Sequence, residues 1–242
     1  MYAVFKRELF SFLSSMVAYI TIGIFLLISG LLLWFFPDTS ILDYGYAEMG
    51  GFFSLVPYLF MFLIPAITMR SFAEERREGT YELLITRPVT VSQIIVAKFL
   101  ASLVLVFFSL IPTLVYYYSI SKLGFPEGNI DSGAVIGSYI GLFFLGASFT
   151  AIGIFASALT KNQVIAFVIC AALCAFAFLG FDYTSQLPFL QNFQNSILSF
   201  GINQHYTSMS RGVLDTRDLI YFITLTMLLL VFTKVIIGGK RS

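Results

Sequence analysis

Apolar runs and short polar segments alternate along the whole chain. A transmembrane helix needs about 20 mostly apolar residues to cross roughly 30 Å of hydrocarbon. Six runs of about this length contain no Asp, Glu, Lys, Arg or His: 16–36, 52–69, 99–119, 133–158, 164–181 and 219–233. With short extensions, the third and sixth runs predict spans at 94–119 and 219–237. The pattern therefore predicts an all-α membrane protein with six transmembrane helices.

The composition supports a membrane protein and excludes an ordinary soluble domain. Hydrophobic residues make up 58% of the 242 positions and charged residues only 11%, whereas a typical soluble domain has about 25% charged residues. A soluble core of this length cannot bury six apolar helices on every side. The sequence also contains no internal repeat and no linker long enough to divide it. We therefore predict one transmembrane domain over residues 1–242.

The distribution of positive charge predicts the orientation of the spans. Cytoplasmic loops of membrane proteins carry an excess of Lys and Arg. If the amino terminus lies in the cytoplasm, all but three of the 14 Lys and Arg residues fall in cytoplasmic segments. The exceptions are Lys122, Arg211 and Arg217. The sequence thus predicts that both termini are cytoplasmic.

Residues 2–16 predict an amphipathic helix before the first span. Its apolar residues recur at three- and four-residue steps, the period of one helix face: Tyr2, Phe5, Leu9, Phe12, Leu13 and Met16. We expect this face to lie at the boundary of the inner leaflet, with Lys6 and Arg7 near the lipid phosphates. Membrane lipids would then be direct partners. A plain extension of the first span is the alternative.

Two features within the spans bear on helix packing. Gly133, Gly137 and Gly141 follow one another at four-residue intervals in the fourth span, which permits a close approach to a neighbouring helix. That neighbour could belong to this chain or to a second subunit. Pro112 lies inside the third span, where it removes a backbone donor and predicts a kink.

The longest predicted cytoplasmic segment lies between the second and third spans and contains several helix start and stop signals. Gly79 permits a sharp turn, Thr80 can cap a helix, and Pro88 keeps the residue before it out of the helical region. Thr90 and Gln93 have the spacing of a capping box, which would begin the third span.

A helix of about two turns, residues 81–86, remains between these signals. A helix that short is marginal in water and gains stability from packing. It nevertheless carries Tyr81, Leu83, Leu84 and Ile85 in a polar surrounding, a composition typical of an anchor that fills a groove on a partner. An ordinary loop packed on its own protein is the alternative.

Residues 74–90, which read EERREGTYELLITRPVT, resemble a segment of the type-2 ABC exporter permeases. Those proteins carry an acidic-G-T-x-E-x-L-x-x-x-P motif between spans two and three. There it forms the coupling helix that contacts the nucleotide-binding subunit. The resemblance implies the same role for the matching residues and for Tyr81 beside them: Glu74, Glu75, Gly79, Thr80, Tyr81, Glu82, Leu83, Leu84 and Pro88.

A second resemblance lies beyond the fifth span. Residues 182–217 form a predicted outer segment, and type-2 permeases carry short helices there that do not cross the membrane. Residues 205–222 are similar to the stretch that leads into the last span of the gliding-motility permeases of Bacteroidota. The resemblance implies a bacterial inner-membrane permease that pairs with an ABC ATPase subunit and with a second permease copy or a related permease. ATP and Mg would then be bound by the ATPase subunit.

The sequence argues against an enzyme that acts alone. It has no G-x-x-x-x-G-K-[ST] phosphate loop with which to hydrolyse ATP. An intramembrane serine protease would need a G-x-S-G nucleophile and a membrane histidine. The fragment at 146–149 lacks the second glycine, and the single histidine, His205, falls in the outer segment. We therefore assign no catalytic residue.

The remaining alternatives concern ligands and partners. Ion-driven carriers usually keep ionisable groups within the membrane, and the six apolar runs contain none. Cys170 and Cys174 lie one helical turn apart without further ligands, so we expect packing residues and no metal site. We expect no directly bound cofactor and no nucleic-acid partner. A membrane scaffold that transports nothing stays open as an alternative.

Overall fold

The computed structural model describes residues 1–36, 40–41, 45–80 and 90–239, apart from the side chains of 189–191 and 239. In this part of the chain the regular structure is entirely helical. The α-helices are α1 Tyr2–Leu13, α2 Met16–Trp34, α3 Gly50–Thr68, α4 Arg70–Arg77, α5 Val91–Leu110, α6 Leu114–Leu123, α7 Ser132–Leu159, α8 Gln163–Ala175, α9 Phe181–Ser185, α10 Gln194–Leu198, α11 Ile202–Met209 and α12 Thr216–Gly239.

Six helical stretches of the described chain are long and apolar enough to cross a membrane, which confirms the predicted number. They are Met16–Trp34, Gly50–Arg77, Val91–Leu123, Ser132–Leu159, Gln163–Ser185 and Thr216–Gly238. The second joins α3 to α4, and the third joins α5 to α6. Successive spans run in opposite directions, so α1, α4 and residues 160–162 share one end of the bundle. We call it the basic end.

The third span begins and bends where the sequence places its signals. Thr90 accepts a hydrogen bond from the backbone N–H of Gln93, and the Gln93 side chain bonds the Thr90 backbone in return. This is the predicted capping box. A 3₁₀ turn at Ile111–Thr113 contains Pro112 and separates α5 from α6, at the point where a kink is predicted.

The fourth span, α7, is the centre of the bundle. Much of its length is buried, and Leu142, Leu145 and Phe149 are wholly enclosed. The second and third spans are also mostly buried, whereas only 17–22% of the first, fifth and sixth is buried. The exposed faces are apolar, so they suit contact with lipid or with another membrane helix.

Glycines let α7 approach its neighbours closely. A Cβ added at Gly153 would overlap the Thr68 side chain of α3. In the predicted glycine stripe, a Cβ at Gly137 would come 2.6 Å from the carbonyl oxygen of Gly212, and one at Gly141 would come 2.7 Å from Cβ of Met209. These two glycines therefore pack against the outer segment of this same chain. A Cβ at Gly133 would meet only the nearby Asp131 side chain, at 3.3 Å.

The outer segment between the fifth and sixth spans forms short helices, as predicted for residues 182–217. One of them, α11, is tied to the bundle because the Tyr206 hydroxyl donates to the Phe53 carbonyl at 2.6 Å. Burial raises the pKa of Tyr206, so this hydroxyl keeps its proton. His205, to which we assigned no chemistry, lies 2.7 Å from Asp218 through Nδ1, and its ring stacks on Tyr221.

The amino-terminal helix α1 forms as predicted, but part of its apolar face is directed differently. Phe12 is buried, and Phe5 and Leu9 pack against the core of the bundle. The acidic residue Glu8 is buried on the same side. The apolar side chains left exposed on this helix are Tyr2, Phe10 and Leu13. The prediction that the apolar face lies at the leaflet boundary is therefore wrong for the three residues that pack on the bundle. Arg7, predicted near the lipid phosphates, pairs with Glu8 and Glu75.

Candidate functional site

The candidate site lies at the basic end, where α4 follows the second span. The helical hydrogen bonding is interrupted at Met69, which separates α3 from α4, and the Ser157 side chain of α7 lies at this break. Its hydroxyl accepts hydrogen bonds from the backbone N–H of Phe72 at 2.9 Å and of Ala73 at 3.1 Å. It also donates to the Met69 carbonyl at 3.0 Å. In a continuous helix Ala73 would bond this carbonyl directly, so Ser157 bridges the pair.

A second contact fixes the far end of α4 to the same helix. The Arg76 guanidinium donates to the Ala158 carbonyl of α7. Phe72 and Ala73 are fully buried between these two anchor points. As a result, α4 is docked on the end of the central span at both of its termini.

Four charged side chains, one of them on α4, form an ion network around the buried Lys98. Lys98 of α5 is only 1% exposed, and its ammonium lies 3.0 Å from Glu75 and 3.1 Å from Glu8. Arg7 reaches the same two carboxylates at 2.8 Å and 2.7 Å. The Lys98 ammonium also donates to the Ser71 carbonyl at 2.7 Å. The network therefore joins α1, α4 and α5, and we call it the Lys98 network.

Neighbouring groups stabilise the two positive charges of the Lys98 network. Burial lowers the pKa of Arg7, but the hydrogen bonds and charges of Glu8 and Glu75 outweigh that effect and raise the pKa above its ordinary value. The Phe72 ring lies 5.1 Å below the Lys98 ammonium, a cation–π contact that adds to its stabilisation. Two cations face two carboxylates, so the network carries no net charge.

The Lys98 network closes the base of the segment that contains the predicted coupling helix. Glu74 and Glu75 lie on α4, directly before it, and Lys98 lies just after it. Gly79 has φ of +71°, a left-handed conformation that glycine adopts without steric cost. The Thr80 hydroxyl contacts the Glu75 carbonyl at 3.4 Å, a long hydrogen bond. The other predicted coupling residues lie outside the described residues: Tyr81, Glu82, Leu83, Leu84 and Pro88.

Residues 35–238 match the family model described as ABC-2 family transporter protein. The chain belongs to this family. No curated protein matches the sequence. An ABC-2 protein is the transmembrane subunit of an ABC transporter and is not itself catalytic, so the family accounts for both the six spans and the missing phosphate loop.

An ABC-2 permease works with an ABC ATPase in general, so a surface that could receive such a partner is relevant to function.

Sequence reasoning missed Lys98, which pairs with Glu75, and Glu8, which shares both of the cations that Glu75 contacts. Lys98 was considered only as one of the cytoplasmic Lys and Arg residues, and Glu8 was not singled out within the amphipathic helix. A single acid on an otherwise apolar helix face was the available signal for Glu8, because a carboxylate is rarely buried without a cation.

The protease and metal alternatives find no support in the described residues. The Ser148 hydroxyl contacts Thr226 at 3.2 Å, while His205 contacts Asp218 and Ser199 at the opposite end of the bundle. Cys170 and Cys174 are buried free thiols. Among the residues described, no group of three or more His, Cys, Asp or Glu side chains could hold a metal ion.

Proposed function

We propose that this ABC-2 permease is the membrane half of an ATP-driven exporter and that residues 74–88 receive the ATPase subunit. The observation that carries the proposal is the Lys98 network. It holds the residues before and after the predicted coupling helix against each other and against α1. A force applied to that helix by a partner would therefore reach several elements at once.

Two sets of contacts could transmit movement of the predicted coupling helix to the membrane spans. One passes from α4 through Ser157 and Ala158 into α7, the central span. The other passes from Glu75 through Lys98 into α5, the first part of the third span. Closure of the ATPase subunits on ATP and Mg would displace 81–86, and these contacts would tilt the second, third and fourth spans. Such coupling requires two states that nucleotide binding favours differently.

A second six-span unit would complete the exporter. Only 17–22% of the first, fifth and sixth spans is buried, and their exposed side chains are apolar, so they offer faces for a second copy of this chain or for a related permease. We place the basic end in the cytoplasm of a bacterial cell, with the protein in the inner membrane, because Lys and Arg favour cytoplasmic segments. Its likeness to gliding-motility permeases makes force coupling in gliding the physiological setting we propose.

Co-purification tests the docking assignment. Leu83→Asp combined with Leu84→Asp should leave membrane insertion intact and release the ATPase, because two carboxylates would have to be buried in its apolar groove. Val213→Asp with Leu214→Asp is the matched control, since both residues are exposed and lie at the opposite end. An ATPase that still co-purifies with the Leu83/Leu84 variant at wild-type yield would refute the assignment.

Cysteine labelling tests the orientation. Phe125 is almost fully exposed at the opposite end and Glu78 is exposed at the basic end, while the native Cys170 and Cys174 are buried. A membrane-impermeant thiol reagent added to whole cells should label a Phe125→Cys variant and should label Glu78→Cys only after permeabilisation. The reverse pattern would place both termini outside.

A further inference from the structure

A polar cavity of about 440 Å³ lies between α1 and α4 at the basic end. Its wall on the α4 side is formed by Arg70, Ser71, Glu74, Glu75 and Glu78. The Lys98 network forms its floor. The cavity is thus separate from the predicted coupling helix but opens at the same end of the molecule.

Three side-chain atoms in this wall are buried and have no hydrogen-bond partner: the donor Arg70 Nε, and Ser71 Oγ and Glu75 Oε2, which can both accept. Ser71 is 3% exposed, and its hydroxyl contacts no donor or acceptor in the described chain. Glu75 uses Oε1 for both of its cations, whereas its Oε2 is buried without a donor. Buried polar atoms are nearly always bonded. A donor that enters the cavity would therefore satisfy two of the three unpartnered atoms.

The charge around the cavity selects the kind of donor. Arg7 and Lys98 are already neutralised by Glu8 and Glu75. The carboxylates Glu74 and Glu78 make no ion pair with any described residue. Arg70 adds one positive charge to the cavity wall, and its guanidinium donates a hydrogen bond to the Ser15 hydroxyl at 2.9 Å. The excess charge is negative, so an anion such as phosphate would be repelled and a cation would be attracted.

We infer that this cavity receives a Lys or Arg side chain of the ATPase subunit. The inference rests on the proposed function, because it needs a protein partner that docks at the basic end. The incoming N–H groups donate to Glu75 Oε2 and Ser71 Oγ, and the positive charge compensates Glu74 and Glu78. Hydrogen bonds between ionised groups are about twice as strong as neutral ones. The ATPase thus has an ionic contact with α4 in addition to its apolar contact with 81–86.

A binding measurement on the intact permease in lipid nanodiscs tests this contact. The probe is the ATPase that co-purifies with the wild-type chain, expressed separately. Glu74→Gln with Glu78→Gln removes two charges but leaves the Lys98 network unchanged. We expect about tenfold weaker binding at low salt, the loss that corresponds to one good ionic contact. We also expect a smaller loss of affinity on raising the salt concentration, because screening acts on ion pairs.

Controls separate this inference from the proposed function. Glu48→Gln with Glu127→Gln removes the same charge from exposed positions at the opposite end and should bind like the wild type. If the Glu74/Glu78 variant binds normally at both salt concentrations while the Leu83/Leu84 variant releases the ATPase, the cavity contact is refuted and the docking assignment stands. If neither variant affects binding, the docking assignment fails as well.

Discussion

The Lys98 ammonium lies 3.0 Å from the Glu75 carboxylate, although the predicted coupling segment separates the two residues in sequence. With Glu8 and Arg7, this pair connects three helices around an ammonium that is almost closed to water, whereas the Arg7 side chain is half-exposed. Removal of one partner from a buried ion pair costs far more than loss of an exposed pair, because the other charge stays buried and uncompensated.

Lys98→Met should therefore destabilise the protein by about 3–5 kcal/mol. Methionine keeps most of the side-chain volume but leaves Glu8 and Glu75 facing each other with only Arg7 between them. Denaturant unfolding in detergent micelles measures the loss. Lys122→Met is the matched control, because its pair with Glu127 is exposed on both sides and is worth about 1 kcal/mol or less. Equal effects for the two variants would contradict the buried network.

The Ser157 hydroxyl is predicted to matter more than an ordinary serine within a span. Ser157→Ala would leave the N–H groups of Phe72 and Ala73 without their side-chain acceptor. An unsatisfied buried donor costs about 1–3 kcal/mol, and the loss should be confined to α4. Hydrogen exchange of residues 70–77 should accelerate. Ser54→Ala is the control, because Ser54 is exposed and bonds only within its own helix; acceleration in both variants would show that Ser157 has no special role.

Much of the fold could be predicted from the sequence because its signals are local. Hydropathy alone indicates six spans, and the Thr90–Gln93 capping box and the interruption at Pro112 depend on a few neighbouring residues. The Lys98 network could not be predicted, since it brings together residues from three segments. Ser157 was missed for a related reason: nothing in an apolar run distinguishes a serine that bonds a neighbouring helix from one that bonds its own.

The outer segment illustrates the same limit. The sequence placed His205 in the outer segment and gave it no role, but both of its ring nitrogens have partners: Asp218 at 2.7 Å and the Ser199 carbonyl at 3.0 Å. A carbonyl only accepts, so Nε2 must carry a proton. Asp218 stands at the start of the last span and is 8% exposed. The pair therefore ties α11 to α12.

Asp218→Asn should loosen that tie and leave the basic end intact. The neutral amide keeps the shape of the side chain but loses the charge-assisted hydrogen bond, at a cost of about 1–3 kcal/mol. Hydrogen exchange should accelerate around residues 199–209, with no change at 70–77. Asp215→Asn is the control, because Asp215 is exposed and its side chain bonds only the backbone of Arg217. A loss of hydrogen-exchange protection at both 199–209 and 70–77 would contradict a purely local role for the His205–Asp218 contact.

Gly153 should tolerate no larger residue, because α3 and α7 touch there. A Cβ at this position would overlap Thr68 Oγ1 and lie 2.7 Å from Thr68 Cβ, and Thr68 is fully buried with its hydroxyl bonded to Ile64. Since Thr68 cannot rotate away freely, Gly153→Ala should push the two helices apart and cost about 1–3 kcal/mol. Gly23→Ala is the matched control: no atom lies within 4 Å of its added Cβ, and alanine favours the helix by about 0.5–1 kcal/mol. Thermal unfolding of the two variants should therefore shift in opposite directions, and a neutral Gly153→Ala would mean that the two spans are not in contact.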